Sequence, residues 1–161
     1  MMFKSIMLND ARLVVYPDGK VLRYYNGKEN KYMKKSWNVC NGSISADGTN
    51  LYKKIQINSK KYSIHRVVAS AFLGLDIQNK DLQIDHIDRN TLNNNKNNLR
   101  IVSHQQNQFN RGAKGYNWDK QKSKYQAQIG IDNKNIYLGY YDTEEDARNA
   151  YLEAKEKYHI I

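Results

Sequence analysis

Over the first 64 residues apolar and polar positions alternate with the period of a β-strand. Leu13-Val14-Val15-Tyr16 and Val21-Leu22-Arg23-Tyr24-Tyr25 flank Pro17-Asp18-Gly19, which carries the residues of a tight turn, and predict a hairpin. Lys54 to Asn58 and Lys61 to Ile64, on either side of Ser59-Lys60, predict a second. The charged stretch from Asn26 to Lys35 reads as an exposed loop. At Ile64 the period lengthens. Ile64, Val67, Val68, Ala71, Phe72 and Leu75 recur at helical spacing, and Gly74 stands where a helix-ending glycine is expected. Leu82 to His86 and Leu99 to Val102 predict two short strands, and the Asn- and Asp-rich segment from Asp88 to Asn98 between them is a loop. Ser103-His104-Gln105-Gln106 has the form of a capping box and opens a helix running to about Asn110.

Beyond a linker at Arg111 to Gly115, strands are expected at Gly115 to Trp118, Lys124 to Ile131 and Asn135 to Tyr141, with turns at Asp119 to Ser123 and Asp132-Asn133-Lys134. Asp142-Thr143-Glu144-Glu145 places acids at the positive end of a last helix, whose apolar stripe is Ala147, Ala150, Tyr151, Ala154 and Tyr158. The expected class is therefore α+β in three parts: a basic β-rich N-terminal region (1–54), a strand–loop–strand–helix core (55–112), and a three-stranded antiparallel sheet packed on one helix (113–161).

Charge changes the picture more than composition does. The 161 residues carry a formal net charge of +10, and the sequence pI is near 9.5. Residues 1–64 hold +8 of that charge, residues 65–112 hold +2, and residues 113–161 are neutral. In the last segment Lys114, Lys120, Lys122, Lys124 and Lys134 precede Tyr141, and most acids follow it. A basic chain rich in Tyr and Asn suits a polyanion, with nucleic acid the first candidate. Lys31, Lys34, Lys35, Lys53, Lys54, Lys60 and Lys61 are candidates for phosphate contact. No apolar run approaches the ~20 residues of a membrane span, and no secretory leader is evident, so an intracellular protein is expected. Cys40 is the only cysteine, which rules out internal disulfides and cysteine-rich zinc sites.

The candidate chemistry centres on Asp85-His86 and Asn107. A carboxylate and an amide oxygen are hard donors suited to Mg²⁺, with Mn²⁺ or Ca²⁺ as alternatives, one ion per site. An adjacent imidazole can take a proton from water near neutral pH. Neighbouring strand residues point to opposite faces, so Asp85 and His86 can converge only if the strand ends or bulges there.

His65-Arg66-Val67-Val68-Ala69, Ile84-Asp85-His86-Ile87-Asp88, Asn97-Asn98-Leu99-Arg100 and Ser103-His104-Gln105-Gln106-Asn107 resemble the HNH endonucleases of the phage homing type, over about residues 55–111. The resemblance implies a ββα-metal core in which His86 is the general base, Asp85 and Asn107 are the metal ligands, and Asn98, counted with His86 in the catalytic set, ties the loop between the strands. Asn107 stands where many members carry His, as in the homing-type variant, and no Cys pairs flank the motif. His65 is a recurrent helix-start residue of that family and is read as structural. His104 reads as a surface residue and His159 as tail.

Gly115-Tyr116-Asn117-Trp118, Lys124 to Ile129 and Ile136 to Ala147 resemble the Apetala-two (ethylene-response-factor) DNA-binding domain, in which a three-stranded sheet enters the major groove and a helix braces its back. Alternation assigns Tyr125, Ala127, Ile129 and Ile131 to the helix side and Lys124, Gln126 and Gln128 to the open side, with Asn117, Lys120, Asn135 and Tyr137 as further DNA-binding candidates. The plant domains often carry Arg at the matching positions, and this sheet has none, so adenine readout by Gln and Asn with phosphate contacts from Lys is the expectation. The expected partner is double-stranded DNA, with no membrane and no obligate protein partner. The expected activity is metal-dependent, homing-type cleavage of that DNA. A DNA-binding regulator with a degenerate nuclease fold, or an RNA-binding or RNA-processing protein, remain the alternatives.

Overall fold

The computed structural model describes residues 2–25, 36–132 and 134–160. The loop expected at residues 26–35, with Lys31, Lys34 and Lys35, and Asn133 of the expected turn between Asp132 and Lys134 fall outside them. The fold is mixed α and β with mostly strands, and it divides into two compact units, Met1–Ile101 and Val102–Ile161.

In the first unit β1 (Lys4–Leu8), β2 (Ala11–Val15), β3 (Val21–Tyr25) and β4 (Ser36–Val39) form an antiparallel sheet in chain order. The β2–β3 hairpin is the one expected, with Val15 paired to Val21 and Gly19 at φ +89° in its turn. β1 and β4 were not expected. β1 offers Ile6 and Leu8 to the core but is otherwise exposed, so its own alternation is weak. Its signal is the turn instead: Asn9 and Asp10 both take positive φ (49° and 62°), the conformation of a type I′ hairpin turn.

A second antiparallel sheet holds β5 (Ser43–Asp47), β6 (Asn50–Ile57) and β7 (Lys60–Ser63). Its β6–β7 turn is Asn58-Ser59, one residue earlier than expected, because Ile57 pairs with Lys60 and Asn58 accepts φ +51°. β5 is mostly exposed and, apart from an exposed Ile44, made of small or polar residues, and so it left no periodic trace. Helix α1 (Ile64–Phe72) follows, and Gly74 at φ +78° ends it. β8 (Gln83–His86) and β9 (Leu99–Val102) form a two-stranded sheet.

One hydrophobic core joins these parts. Leu13, Val15 and Val21 of the N-terminal sheet, Ile55 and Ile57 of β6, Ile64, Val67 and Val68 of α1, Ile84 of β8 and Leu99 of β9 belong to a single buried cluster. The basic N-terminal sheet is thus packed into the unit that carries Asp85 and His86. Arg66 of α1 then pins the segment leading into β8. It donates to the carbonyls of Leu82 (2.9 Å), Ile77 (3.3 Å) and Asn79. Burial pulls its guanidinium below the usual arginine value, opposed by Asp76.

The second unit opens with α2 (His104–Phe109). Ser103 Oγ accepts from Gln106 N–H at 3.1 Å, and Gln106 Oε1 accepts from Ser103 N–H at 2.9 Å, a complete capping box. β10 (Tyr116–Asp119), β11 (Lys124–Ile131) and β12 (Lys134–Tyr141) make an antiparallel sheet, and α3 (Glu144–Tyr158) packs on it. Thr143 caps α3, three acids occupy its first turn, and Lys155 and Lys157 its last. Ala127, Ile129, Ala147, Tyr151 and Ala154 are the buried centre. Gly115 (φ +81°) lies so close to the Tyr151 ring that a Cβ there would meet ring atoms at 2.0 Å.

Candidate functional site

β8 ends at His86, and both Asp85 and His86 are buried, at 6% and 4% exposure. Their side chains have different surroundings, as successive strand positions must. Asp85 faces Arg100 of β9, whose Nε and Nη2 donate to the same carboxylate oxygen at 2.8 and 2.7 Å. His86 faces the ring of His65 at the first turn of α1 (centroids 5.3 Å, interplanar 86°), and Tyr52 of β6 flanks both imidazoles.

The imidazole of His86 is held from a second side. Its Nε2 lies 3.4 Å from Oδ1 of Asn94. The Asn94 amide cannot turn, since its Nδ2 donates to the Leu92 carbonyl at 3.1 Å. An amide oxygen only accepts, so this contact requires the proton on Nε2 and leaves the lone pair on Nδ1. Burial lowers the His86 pKa, against the opposing pull of Asn94, Asp88 and Asp85. A neutral imidazole near neutral pH is the form a base requires. His65 is pushed down to about 3 by burial, with His86, Arg66 and Lys54 adding in the same direction. Its buried Nδ1 finds no hydrogen-bond partner among the described residues.

Asn98 ties the 88–98 loop. Its Oδ1 accepts from Asp88 N–H at 3.0 Å, and its Nδ2 donates to Asp88 Oδ1 and to the Asn93 carbonyl, both at 2.9 Å. It therefore acts on loop shape, as a positioning residue. Asp88 also accepts from Asn93 Nδ2 and Asn90 N–H, and this set, Asn93 first, holds its carboxyl below the usual range. The N-terminal hairpin turn backs the same loop. Lys96 N–H donates to the Pro17 carbonyl at 2.7 Å, and a Cβ on Gly19 would meet Asn94 Cβ at 2.9 Å.

Sequence reasoning missed Asn94, Arg100 and Tyr52 and assigned His65 a purely structural place. Asn94 was hidden in an Asn-rich stretch read as solvated turn, yet it is 5% exposed. Asn107 lies on α2 in the second unit, half-buried, with its N–H bonded to the Ser103 carbonyl. Among the described residues no group of three or more His, Cys, Asp or Glu side chains could hold a metal. Asp85 lies in the first unit and Asn107 in the second; a carboxylate and an amide oxygen are each hard donors of the kind that Mg²⁺ takes.

In the second unit, register places Asn117 opposite Gln126, Asp119 opposite Lys124, Gln128 opposite Tyr137 and Gly130 opposite Asn135. Paired residues share a face, and the other face carries Tyr116, Ala127 and Ile129 beneath α3. Asn117, Lys124, Gln126, Gln128, Asn135 and Tyr137 therefore lie together on the face away from α3, while Lys120 sits in the β10–β11 turn. Lys124 pairs with Asp142 at 3.0 Å. Asn117, Gln128 and Asn135 also line a cavity of about 800 Å³ together with α2 and the linker after it. His159 is not a loose tail: its ring stacks on Phe109 and its Nε2 lies 2.9 Å from the Gly130 carbonyl. No helix among the described residues is long and apolar enough to cross a membrane.

Residues 62–109, which include Asp85, His86, Asn98 and Asn107, match the HNH endonuclease family model. An uncharacterized HNH endonuclease, L560, of Acanthamoeba polyphaga mimivirus is 31% identical over 94 residues, covering 56% of this chain and 50% of its own length. The chain thus spans about half the length of that relative. A solved structure of DNA binding and cleavage by the HNH homing endonuclease I-HmuI is similar at 28% identity with a TM-score of 0.43, covering 64% of this chain and 53% of its own. The segment from residue 62 to residue 109 is an HNH endonuclease domain.

Proposed function

We propose that this chain is a metal-dependent endonuclease of the homing type that hydrolyses phosphodiester bonds in double-stranded DNA inside the cell, leaving 5′-phosphate and 3′-hydroxyl ends. The observation that carries the reading is the Asp85-His86 step at the end of β8: a carboxylate fixed by Arg100 beside an imidazole fixed by Asn94. His86 Nδ1 accepts a proton from the attacking water, and Asn94 holds the ring so that this nitrogen keeps its lone pair. Tyr52 and His65 wall the ring, which keeps its burial and its low proton affinity. Asp85 and Asn107 are the residues that would hold a divalent ion, Mg²⁺ first and Mn²⁺ or Ca²⁺ as alternatives. Such an ion supplies charge neutralisation at the scissile phosphate and the leaving oxygen. Asn98 keeps the loop closed around His86 by holding Asp88 to Asn93.

The open face of the β10–β12 sheet is the proposed reader, an Apetala-two-like surface. Gln126, Gln128, Asn117 and Asn135 offer amides suited to adenine edges, Lys120 and Lys124 suit phosphates, and Tyr137 is exposed beside them. In this division of labour the nuclease core (55–112) cuts and residues 113–161 hold it on its target. Lys53, Lys54, Lys60 and Lys61 of the basic β6–β7 hairpin add phosphate contacts.

Incubation of the full chain with supercoiled plasmid and Mg²⁺ tests the reading. Nicking or linearisation by the wild type, abolished in His86→Ala with DNA binding retained, is the expected result. No cleavage of any duplex, target included, returns the chain to a DNA-binding regulator, and a clear preference for structured RNA at matched salt overturns the substrate class.

A further inference from the structure

β11 outruns its neighbour β10. The Gln128 N–H donates to the Gly115 carbonyl at 2.9 Å and β10 begins at Tyr116, so the next residues of β11 have no β10 residue beside them on that edge. Open strand edges leave carbonyls without ladder partners. Gly130 falls on that edge, two residues after Gln128, and His159 Nε2 lies 2.9 Å from its carbonyl. A carbonyl only accepts, so Nε2 is the protonated nitrogen.

The same imidazole lies flat on the ring of Phe109, with centroids 4.0 Å apart and planes 7° from parallel. Phe109 ends α2, and Gln105, one turn earlier, donates to Asp132 Oδ1 at 2.5 Å. Residues four apart lie on one side of a helix. The six-residue α2 is thus fastened to the end of the C-terminal sheet at Gln105 and Phe109, and none of its residues is fully buried. A helix this short has little stability of its own, so tertiary contacts such as these two help set its direction. Asn107 stands roughly 200° around the helix from Gln105 and from Phe109, so the face opposite the fastened one carries the amide.

We propose that His159 is a positioning residue: by stacking Phe109 onto the open edge of β11, it sets the direction in which α2 presents Asn107. The proposal rests on the reading of Asn107 as a metal ligand.

The test uses the full chain as His159→Ala, which loses both contacts, and His159→Phe, which keeps the stack alone. Hydrogen exchange of the α2 amides is compared with that of α3, and the Mn²⁺ concentration for half-maximal cleavage is measured beside metal-free DNA affinity. His159→Ala should speed α2 exchange about fivefold or more with α3 unchanged. It should also raise the Mn²⁺ requirement about tenfold at constant DNA affinity, and His159→Phe should recover much of both. A wild type that cuts DNA, with His159→Ala leaving either α2 exchange or the Mn²⁺ requirement unchanged, overturns the positioning role alone. A wild type that cuts no DNA at any Mn²⁺ concentration overturns the nuclease reading beneath it.

Discussion

Asn94 Oδ1 lies 3.4 Å from His86 Nε2, and the Leu92 carbonyl fixes the amide that makes this contact. The pair decides which imidazole nitrogen is basic. Without the amide, Nε2 loses this acceptor and the preference for the Nε2-protonated tautomer weakens. Asn94→Ala should therefore lower single-turnover cleavage by about tenfold or more, within the range assigned to a positioned base. Affinity for DNA should stay within twofold, roughly the noise of a binding isotherm. An equal loss of binding and cleavage would assign Asn94 to the shape of the loop instead.

Gly19 tests whether the N-terminal sheet supports the site. Its φ of +89° is costly for any L-residue, and an added Cβ would meet Asn94 Cβ at 2.9 Å. Gly19→Ala should destabilise the first unit by about 1–2 kcal/mol in urea titration. It should also slow cleavage under conditions where the protein stays folded, since the clash falls on the residue that holds His86. Full activity in a folded Gly19→Ala variant would separate the hairpin from the chemistry.

Elements with a dense periodic signal were legible from sequence: the β2–β3 hairpin, α1, the capped α2, and the last sheet with its helix all stand where spacing and turn chemistry put them. β1, β4 and β5 were not, because each is a partly exposed strand defined by partners elsewhere in the chain. The site divides in the same way. Asp85, His86, Asn98 and Asn107 are ordered in a motif. Asn94, Arg100 and Tyr52 matter through distances between side chains, and no spacing along the chain encodes these. His159 met Phe109 only through the fold of the second unit.

Arg100 and Asp85 form a pair whose side chains are 29% and 7% exposed. Removing the guanidinium leaves a nearly buried carboxylate without its principal counter-charge, which costs far more than losing a surface ion pair. Arg100→Ala should destabilise the protein by about 3 kcal/mol. Asp85→Asn should recover part of that loss in the double variant while remaining inactive with Mg²⁺. Additive effects in the double-variant cycle would show that the two residues are energetically independent.

Lys124 is paired with Asp142 at 3.0 Å, with side chains 43% and 79% exposed. An exposed pair of this kind contributes little to folding, so its variants report on binding. Lys124→Ala should weaken DNA binding across sequences and reduce the salt slope by about one. Asp142→Ala should act in the opposite direction, tightening binding, because the lysine then gives up no partner to meet a phosphate. A salt slope unchanged in both variants would remove Lys124 from the reader face.

His65 makes stability depend on acid. Its folded pKa is pushed down to about 3 from an ordinary 6.5, first by burial and then by the charges of His86, Arg66 and Lys54. The unfolded chain takes up a proton as pH falls through 6.5, whereas the folded chain refuses it until pH is near 3. Protons then favour the unfolded state, so this contribution is fully present above 6.5 and drains away across the interval down to about 3. His86, also lowered, adds to the same trend. His65→Phe keeps an aromatic ring against His86 and Tyr52 but has nothing to protonate. Urea midpoints taken from pH 7.5 to 4.5 should fall less steeply with acid for His65→Phe than for the wild type, with the two curves diverging below about pH 6.5. Parallel curves would mean that His65 takes up its proton without unfolding cost, and that the buried Nδ1 is not held dry.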